Sequence, residues 1–394
     1  MRKGRDRLYL IAAAYLSSQQ KDQESIAKSL GISQSLVSRL IKDARDKGIL
    51  EVKTRFASER VNAEDLARAK ARLRPEPLEQ ILAQIGALAP GKRVPTLHVY
   101  PCRTRNTLEP TWQHRILMFS NDCAEDLLKV LGSASVIGVA WGVMIANAVD
   151  AMQRTQADRG EPLQSDQTII PLLGEPLGLT TTQHSSSVLA SKLAGILNPR
   201  LKPENILSLA PVPAFIPANM TKAEIRAIRK LIGRITAYRK IYGAGESESQ
   251  GEEKSVPWIH CVDAILTSIS TEEKPLGFDN DGLIRAADIH RERLNDLVIG
   301  DLCGVVIPRP NLDRKSKKEI ESIMAQWTGV RVDHLEACAN RARNGAPGVI
   351  VLAIGANKAS VVLGALRRGL IQHLFMDEDL ADRLGEICAA SPHD

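Results

Sequence analysis

From Val94 onward, short apolar runs alternate with longer stretches of helical periodicity, and this alternation restricts the fold more than any other property of the chain. Val136–Ala140 (VIGVA) leads into a helical pattern over Met144–Met152, and Thr168–Leu173 (TIIPLL) precedes one over Ser185–Leu197. Val349–Ile354 (VIVLAI) feeds Lys358–Arg367, and Leu370–Met376 precedes a helix capped by Asp377. Asp263–Ile269 and Gly304–Ile307 read as further strands. Runs this short and this apolar suit strands buried on both faces, and strands alternating with helices build a Rossmann-type parallel α/β sheet covered by helices. In such folds a ligand sits beyond the carboxyl ends of the strands.

Two strand-to-helix turns are the first places to look. In Gly138–Met144 (GVAWGVM), small residues around Trp141 and Gly142 let backbone N–H groups at a helix start face an anion. In Gly355-Ala356-Asn357-Lys358 a lysine occupies the first turn of a helix, where its charge opposes the helix dipole, so a bound anion would account for it. Taken alone, either motif is more often ordinary turn chemistry. Leu173-Gly174-Glu175 and Gly300-Asp301 are further candidates, and Glu175, Asp263 and Asp301 could accept hydrogen bonds from sugar hydroxyls. Isolated carboxylates at strand ends are, however, often structural.

The first 50 residues read differently. Leu8, Ile11, Ala12, Tyr15 and Leu16 recur at helical spacing between Asp6 and Ser18 and are expected to face inward. A second helix, Gln23–Leu30, turns Ile26, Ala27 and Leu30 to the core and stops at Gly31, where positive φ suits a sharp corner plugged by Ile32. Ser33 caps a third helix, Gln34–Lys47, with Leu36, Val37, Leu40, Ile41 and Ala44 as its buried stripe. Ser33, Gln34, Ser35, Ser38, Arg39, Lys42 and Arg45 are the candidate DNA-binding residues: Gln and Arg pair with purine edges, while Ser, Lys and further Arg reach phosphates. Ile49–Lys53 alternates like a short strand, so a wing is expected to complete this helix-turn-helix. A helical hairpin serving a protein contact is the plain alternative.

Charge supports the nucleic-acid reading. The chain of 394 residues carries a net charge of +6, and residues 1–60 alone, with 13 Lys/Arg against 7 Asp/Glu, carry all of it. A cationic head on an electrically balanced body is the pattern of a polyanion binder, and charge alone fits a solvated basic face equally well. The expected domains are 1–60, a helix-turn-helix; 61–93, a helical connector; and 94–394, an effector-binding domain. The connector, broken at Pro75 and Pro77, either pairs with a second copy or packs on its own body.

Six scattered cysteines, with no C-x-x-C and no paired Cys/His spacing, indicate reduced structural thiols and no metal. No apolar run approaches the ~18 to 20 residues of a membrane span, and the amino terminus lacks signal-peptide character, so a cytoplasmic protein is expected. The acidic, glycine-containing stretch Gly243–Lys254 reads as an exposed loop without chemistry.

The order helix-turn-helix, VIGVAWG, IIPLLGE, VPAF at 212–215, DAIL, GDLCG and a closing GANKASVVLGALRRGLIQHLFMDEDLA resembles the SorC (SorC/DeoR sugar-binding) family of transcription regulators over residues 7–388. The resemblance implies an effector domain of the NagB/RpiA-like sugar-phosphate isomerase fold, an oligomer that is often a tetramer, and a phosphorylated sugar that alters operator affinity. It places Trp141, Gly142, Gly174, Asp301, Gly355 and Lys358 around the effector, with no cofactor and no membrane partner. The chain departs from the family pattern at Met144, where threonine is usual, and at Glu175, Ser268 and Ser270, where glycines are expected. Each change removes a donor or a close backbone approach, or adds negative charge, so an unphosphorylated effector is a real alternative. The rival from another class is a sugar-phosphate isomerase-like enzyme, although no nucleophile and base pair stands out.

Overall fold

The computed structural model describes residues 2–18, 22–47, 49–50, 94–100, 102, 111–159, 166–175, 183–202, 206–243, 256–271 and 291–390. The chain divides into two compact units, Met1–Pro75 and Glu76–Asp394. The expected connector, most of the expected wing and nearly all of the Gly243–Lys254 loop lie outside the described residues.

In the first unit, α1 (Arg2–Ser18), α2 (Gln23–Leu30) and α3 (Gln34–Asp46) form a three-helix cluster. The Asp22 carboxylate starts α2 by accepting from the Ser25 N–H (2.9 Å) and hydroxyl (2.8 Å). Gly31 ends it in the left-handed region at φ 63°, and Ser33 opens α3 by accepting the Leu36 N–H at 3.3 Å. Ile26, Ala27, Val37, Leu40, Ile41 and Ala44 are buried as the periodicity requires. The inward face of α1 differs from the expectation. Leu8 (69%), Ile11 (44%) and Tyr15 (64%) are exposed, whereas Leu10, Ala13 and Ala14 are buried against α3. The run LYLIAAAYL is apolar on more than one face, and small alanines let two helix backbones approach, so packing and not periodicity selects the face. Leu36, at the rim of α3, is likewise partly exposed.

In the second unit six strands run parallel: β1 (Thr96–Tyr100), β2 (Val136–Val139), β3 (Thr168–Pro171), β4 (Ala264–Thr271), β7 (Gly348–Ala353) and β8 (His373–Asp377), in the order β1-β8-β7-β4-β2-β3. The remaining two, β5 (Val298–Leu302) and β6 (Val305–Pro308), form an antiparallel hairpin on the tail of β4. Gly304–Ile307 therefore belongs to a hairpin and not to the parallel ladder. The helices are α4 (Trp112–Leu131), α5 (Val143–Arg159), α6 (Ser186–Leu197), α7 (Lys222–Arg234), α8 (Thr236–Tyr242), α9 (Arg291–Leu297), α10 (Arg314–Met324), α11 (Val332–Arg341), α12 (Ala359–Arg367) and α13 (Glu378–Ala390).

Alternate residues of each strand enter two separate cores, as the pleat dictates. Ala264 and Leu266 of β4 join Ile137, Val139, Ile350 and Phe375 beneath α4, α5 and α6. Ile265 joins Val349, Val351 and Leu374 on the face carrying α11, α12 and α13. The chain leaves β2 toward β3 but leaves β4 toward β7, and β2 and β4 are neighbours (Ile137 opposite Ala264). Their carboxyl ends thus flank a topological switch point, the place where a ligand crevice is expected in such sheets. Among the described residues no helix is long and apolar enough to cross a membrane.

Candidate functional site

Two surfaces carry the residues singled out from the sequence, one in each unit. On α3, Gln34, Ser35, Ser38, Arg39, Lys42 and Arg45 are all exposed, opposite the buried Val37, Leu40, Ile41 and Ala44. Ser33 is exposed too, but its hydroxyl is committed to the helix cap and to Ser35 Oγ at 3.1 Å. The result is a firmly seated helix whose outward stripe holds three cations, one amide and two hydroxyls.

The second surface is the carboxyl edge of the sheet. After β2, Gly142 adopts φ 120°, its N–H donates to the His184 carbonyl (3.0 Å), and its carbonyl accepts from Ala146 in the first turn of α5 (2.9 Å). Ser268 of β4 stands beside it, its hydroxyl 3.7 Å from the place a Cβ would take. Trp141 is half-buried, its ring edge-on to Trp327 at 5.8 Å. After β7, Gly355 adopts φ 92° and its N–H donates to Asp377 Oδ1 (2.9 Å). Asn357 is exposed there, and the half-buried Lys358 reaches across to the Ile269 carbonyl at the end of β4 (Nζ to O, 3.0 Å).

After β3, Gly174 is required for a reason internal to the fold. A Cβ there would lie 2.3 Å from the Val212 carbonyl oxygen, because Glu175 runs beside Pro213 in a short ladder: the Glu175 N–H donates to Val212 (2.7 Å) and the Ala214 N–H to Glu175 (2.8 Å). The Glu175 side chain is half-buried, and its Oε1 is sealed from solvent without a hydrogen-bond partner. Burial pushes its carboxyl up from the ordinary value, with hydrogen bonding from Ser185 opposing. A carboxyl raised by folding retains its proton better in the native state, so its contribution is favourable at low pH and is lost as pH rises through the elevated native value. Glu175→Gln is expected to raise the melting temperature at neutral pH by more than at mildly acidic pH; a pH-independent difference in thermal melts would contradict this assignment.

Asp301 is buried. It accepts from the Ser270 hydroxyl and, through Oδ1, from the Gly304 N–H (3.0 Å), tying the β5–β6 hairpin turn (Cys303 φ 55°, Gly304 φ 77°) to β4. Its engaged oxygens make it a structural pin at the margin of the crevice. Asp263 is a correction. It lies at the opposite, amino-terminal edge, where its carboxylate accepts from the N–H groups of Ser135 (3.0 Å) and Val136 (2.9 Å), and its carbonyl accepts from Gly348 (2.8 Å). It belongs to the β2–β4–β7 seam and cannot join the other candidates.

The carboxyl edge also holds residues that sequence reasoning missed. Trp112 opens α4 and is 48% exposed, with its ring 3.5 Å from the place a Gly355 Cβ would take. Arg115, one turn on, lies 6.0 Å from that ring's centroid and is clamped between Asp377 and Asp379 (2.5 Å to Asp379). Ser186 Oγ donates to the Val139 carbonyl (2.6 Å) and accepts from Leu172 (2.8 Å) and Leu173 (3.2 Å), bracing the ends of β2 and β3. Only its closeness to the capping Ser185 marked it in the sequence. Cys102, Cys123, Cys303, Cys338 and Cys388 are buried free thiols, and burial pushes Cys102 and Cys303 up to about 12, so neither is a ready thiolate. Among the described residues no cluster of His, Cys, Asp and Glu could hold a metal.

No family model matches the sequence, and no curated protein matches it significantly. Solved structures do. The full-length sorbitol operon regulator SorC of Klebsiella pneumoniae is similar over 97% of this chain and 99% of its own, at 19% identity and a TM-score of 0.52. A DeoR family transcriptional regulator of Listeria monocytogenes (73% and 92% covered, 18% identity, TM-score 0.47) and a transcriptional regulator of Streptococcus pneumoniae (79% and 97% covered, 17% identity, TM-score 0.49) are also similar. The end-to-end likeness to the first shows that this chain has its fold: an amino-terminal helix-turn-helix followed by a parallel α/β domain.

Proposed function

We propose that the protein is a DNA-binding transcription regulator of the SorC type, controlled by a small carbohydrate bound at the carboxyl edge of its α/β unit. The observation that carries this reading is α3: a capped helix whose buried Val37, Leu40, Ile41 and Ala44 turn Gln34, Ser35, Ser38, Arg39, Lys42 and Arg45 outward within the segment that holds the whole net positive charge. Such a helix fits a major groove, with Gln34 and Arg39 within reach of base edges and the remaining cations on phosphates. In the α/β unit, the effector is taken to bind at the carboxyl ends of β2, β4 and β7 among Trp141, Gly142, Ser268, Gly355, Asn357 and Lys358, with Glu175 and Asp301 at its margin; their common position at the ends of these strands supports this reading.

The head supplies affinity and the body supplies control. A ligand can change DNA affinity only as far as it binds one arrangement of the heads better than another, so DNA and sugar must affect each other's binding reciprocally. The protein is read as a homo-oligomer, because half-sites on a duplex are matched by paired heads. A regulator, and not an enzyme, is the reading offered; turnover of sugar phosphates by the purified chain would overturn it.

The test is fluorescence anisotropy with duplex DNA from the gene's own upstream region. Binding is expected to weaken by about 10³ between roughly 50 and 200 mM salt, as for a protein that neutralises several phosphates. An effector sugar should shift the curve at fixed salt. Attachment insensitive to salt, or no attachment to duplex DNA with or without sugars, would sink the proposal.

A further inference from the structure

The carboxyl edge carries a feature that the effector reading leaves unused. Trp112 presents about half its surface to solvent beside the Gly355 turn, in a fold whose large apolar residues are otherwise mostly buried. Its position is fixed from several sides. Thr111 caps α4 by accepting the His114 N–H (3.3 Å), Arg115 lies against the ring at 6.0 Å, and Arg115 is held by Asp377, which also takes the Gly355 N–H. The indole and the Gly355–Lys358 turn are thus parts of one braced assembly, with the exposed Asn357 amide alongside.

The polar groups of the same edge have a particular bias. The Gly142 N–H is taken by the His184 carbonyl and the Gly355 N–H by Asp377, so neither glycine offers its donor to an anion. Lys358 is bonded to the Ile269 carbonyl, and Arg115 lies between two carboxylates. Glu175 follows β3, three strand places from β7, and its Oε1 is sealed from solvent, so it stands apart from this turn. A phosphate would meet glycine N–H groups already bonded and a guanidinium already held between two carboxylates. A neutral polyol would meet the exposed Asn357 amide for its hydroxyls and an aromatic face for its C–H groups.

We infer that the effector is an unphosphorylated sugar in its pyranose ring form, stacked by its apolar C–H face on Trp112 and hydrogen-bonded by Asn357. The inference rests on the effector reading of this edge and narrows it. A closed ring presents a flat array of C–H bonds to an indole, whereas the flexible open-chain alditol must lose conformational freedom to do so. Trp112 is then a specificity-determining residue: it selects ring sugars over alditols, and the commitment of Arg115 to two carboxylates and of the Gly355 N–H to Asp377 selects neutral sugars over their phosphates.

The experiment is a thermal-shift and calorimetric titration of the full-length protein with D-glucose, D-galactose and D-mannose, the corresponding alditols, and the phosphate monoesters of the three sugars. At least one neutral pyranose should bind, its alditol and its phosphate more weakly. Trp112→Ala should weaken the pyranose by about tenfold, equivalent to ~1.4 kcal/mol, and Trp112→Phe should restore most of the loss. Trp112 is exposed, so an unchanged circular dichroism spectrum is expected to show both variants folded. Equal pyranose affinity in Trp112→Ala, or a phosphate that binds more tightly than its parent sugar, overturns the inference. If only alditols or phosphates bind, this inference falls and the effector reading stands; if nothing in the panel binds, both fall.

Discussion

Asp377→Ala is expected to destabilise the α/β unit by about 3–5 kcal/mol, a large share of the roughly 5–15 kcal/mol that holds a domain folded. Asp377 is fully buried at the end of β8, and its two oxygens serve three donors. Oδ1 accepts from the N–H groups of Gly355 (2.9 Å) and Leu380 (3.1 Å), and Oδ2 pairs with Arg115. Alanine would leave two backbone donors buried without partners, at ~1–3 kcal/mol each, and would remove one of the guanidinium's two carboxylates. Asp379→Ala is the internal control: it touches the same guanidinium at 2.5 Å but is partly exposed, so a loss of about 1 kcal/mol or less is expected. Urea denaturation followed by circular dichroism separates the two, and the helix-turn-helix should be untouched by either. Equal stabilities of the two variants would show that Asp377 is not the keystone of this edge.

Asp377 also marks how far the sequence could be read. Its role as a helix cap is legible from its place before Glu378 and Asp379, and the Leu380 bond agrees. Its hold on Gly355 and Arg115 is not legible, because 22 residues separate it from the first and 262 from the second. Asp263 and Asp301 illustrate the same limit from the other side. All three are aspartates near strand ends, but only topology tells which edge each occupies, and Asp263 falls on the edge away from the crevice. Five of the six parallel strands were readable because burial on both faces makes them continuously apolar, as in VIVLAI at 349–354, whereas β1 (TLHVY), mostly half-exposed, was not. The orientation of α1 was not, because LYLIAAAYL offers apolar residues to several faces and tertiary packing chooses among them. Glycines were readable as turns but not in their causes: Gly174 is small for the Val212 carbonyl and Gly304 for the Trp327 indole, both remote in sequence. Trp112 gave no signal, since an aromatic residue at a helix start is uninformative until Gly355 is seen beside it.

Arg39→Ala is expected to weaken binding to the cognate duplex by about 10- to 100-fold at fixed salt, the ~1–3 kcal/mol that an arginine paired to a purine edge contributes. Arg39 is exposed on α3, one residue before the buried Leu40 and two after the buried Val37, so its direction is set by the core beneath it and not by a local salt bridge. Residues near the start of a recognition helix lie closest to the base edges, and Gln34, Ser35, Ser38 and Arg39 occupy its first two turns. Arg45, near the other end of α3, serves as the comparison. If it touches only phosphate, Arg45→Ala should weaken all sequences about equally and lower the salt slope by about one, whereas Arg39→Ala should erode the preference for the cognate site over scrambled DNA. Because both side chains are exposed, neither change should alter the melting temperature of the head appreciably. Anisotropy titrations of the two variants against cognate and scrambled duplexes, at two salt concentrations, distinguish direct reading from charge alone. Full cognate affinity and specificity in Arg39→Ala would mean that this helix face does not read the groove. The effector crevice would then be coupled to some other output.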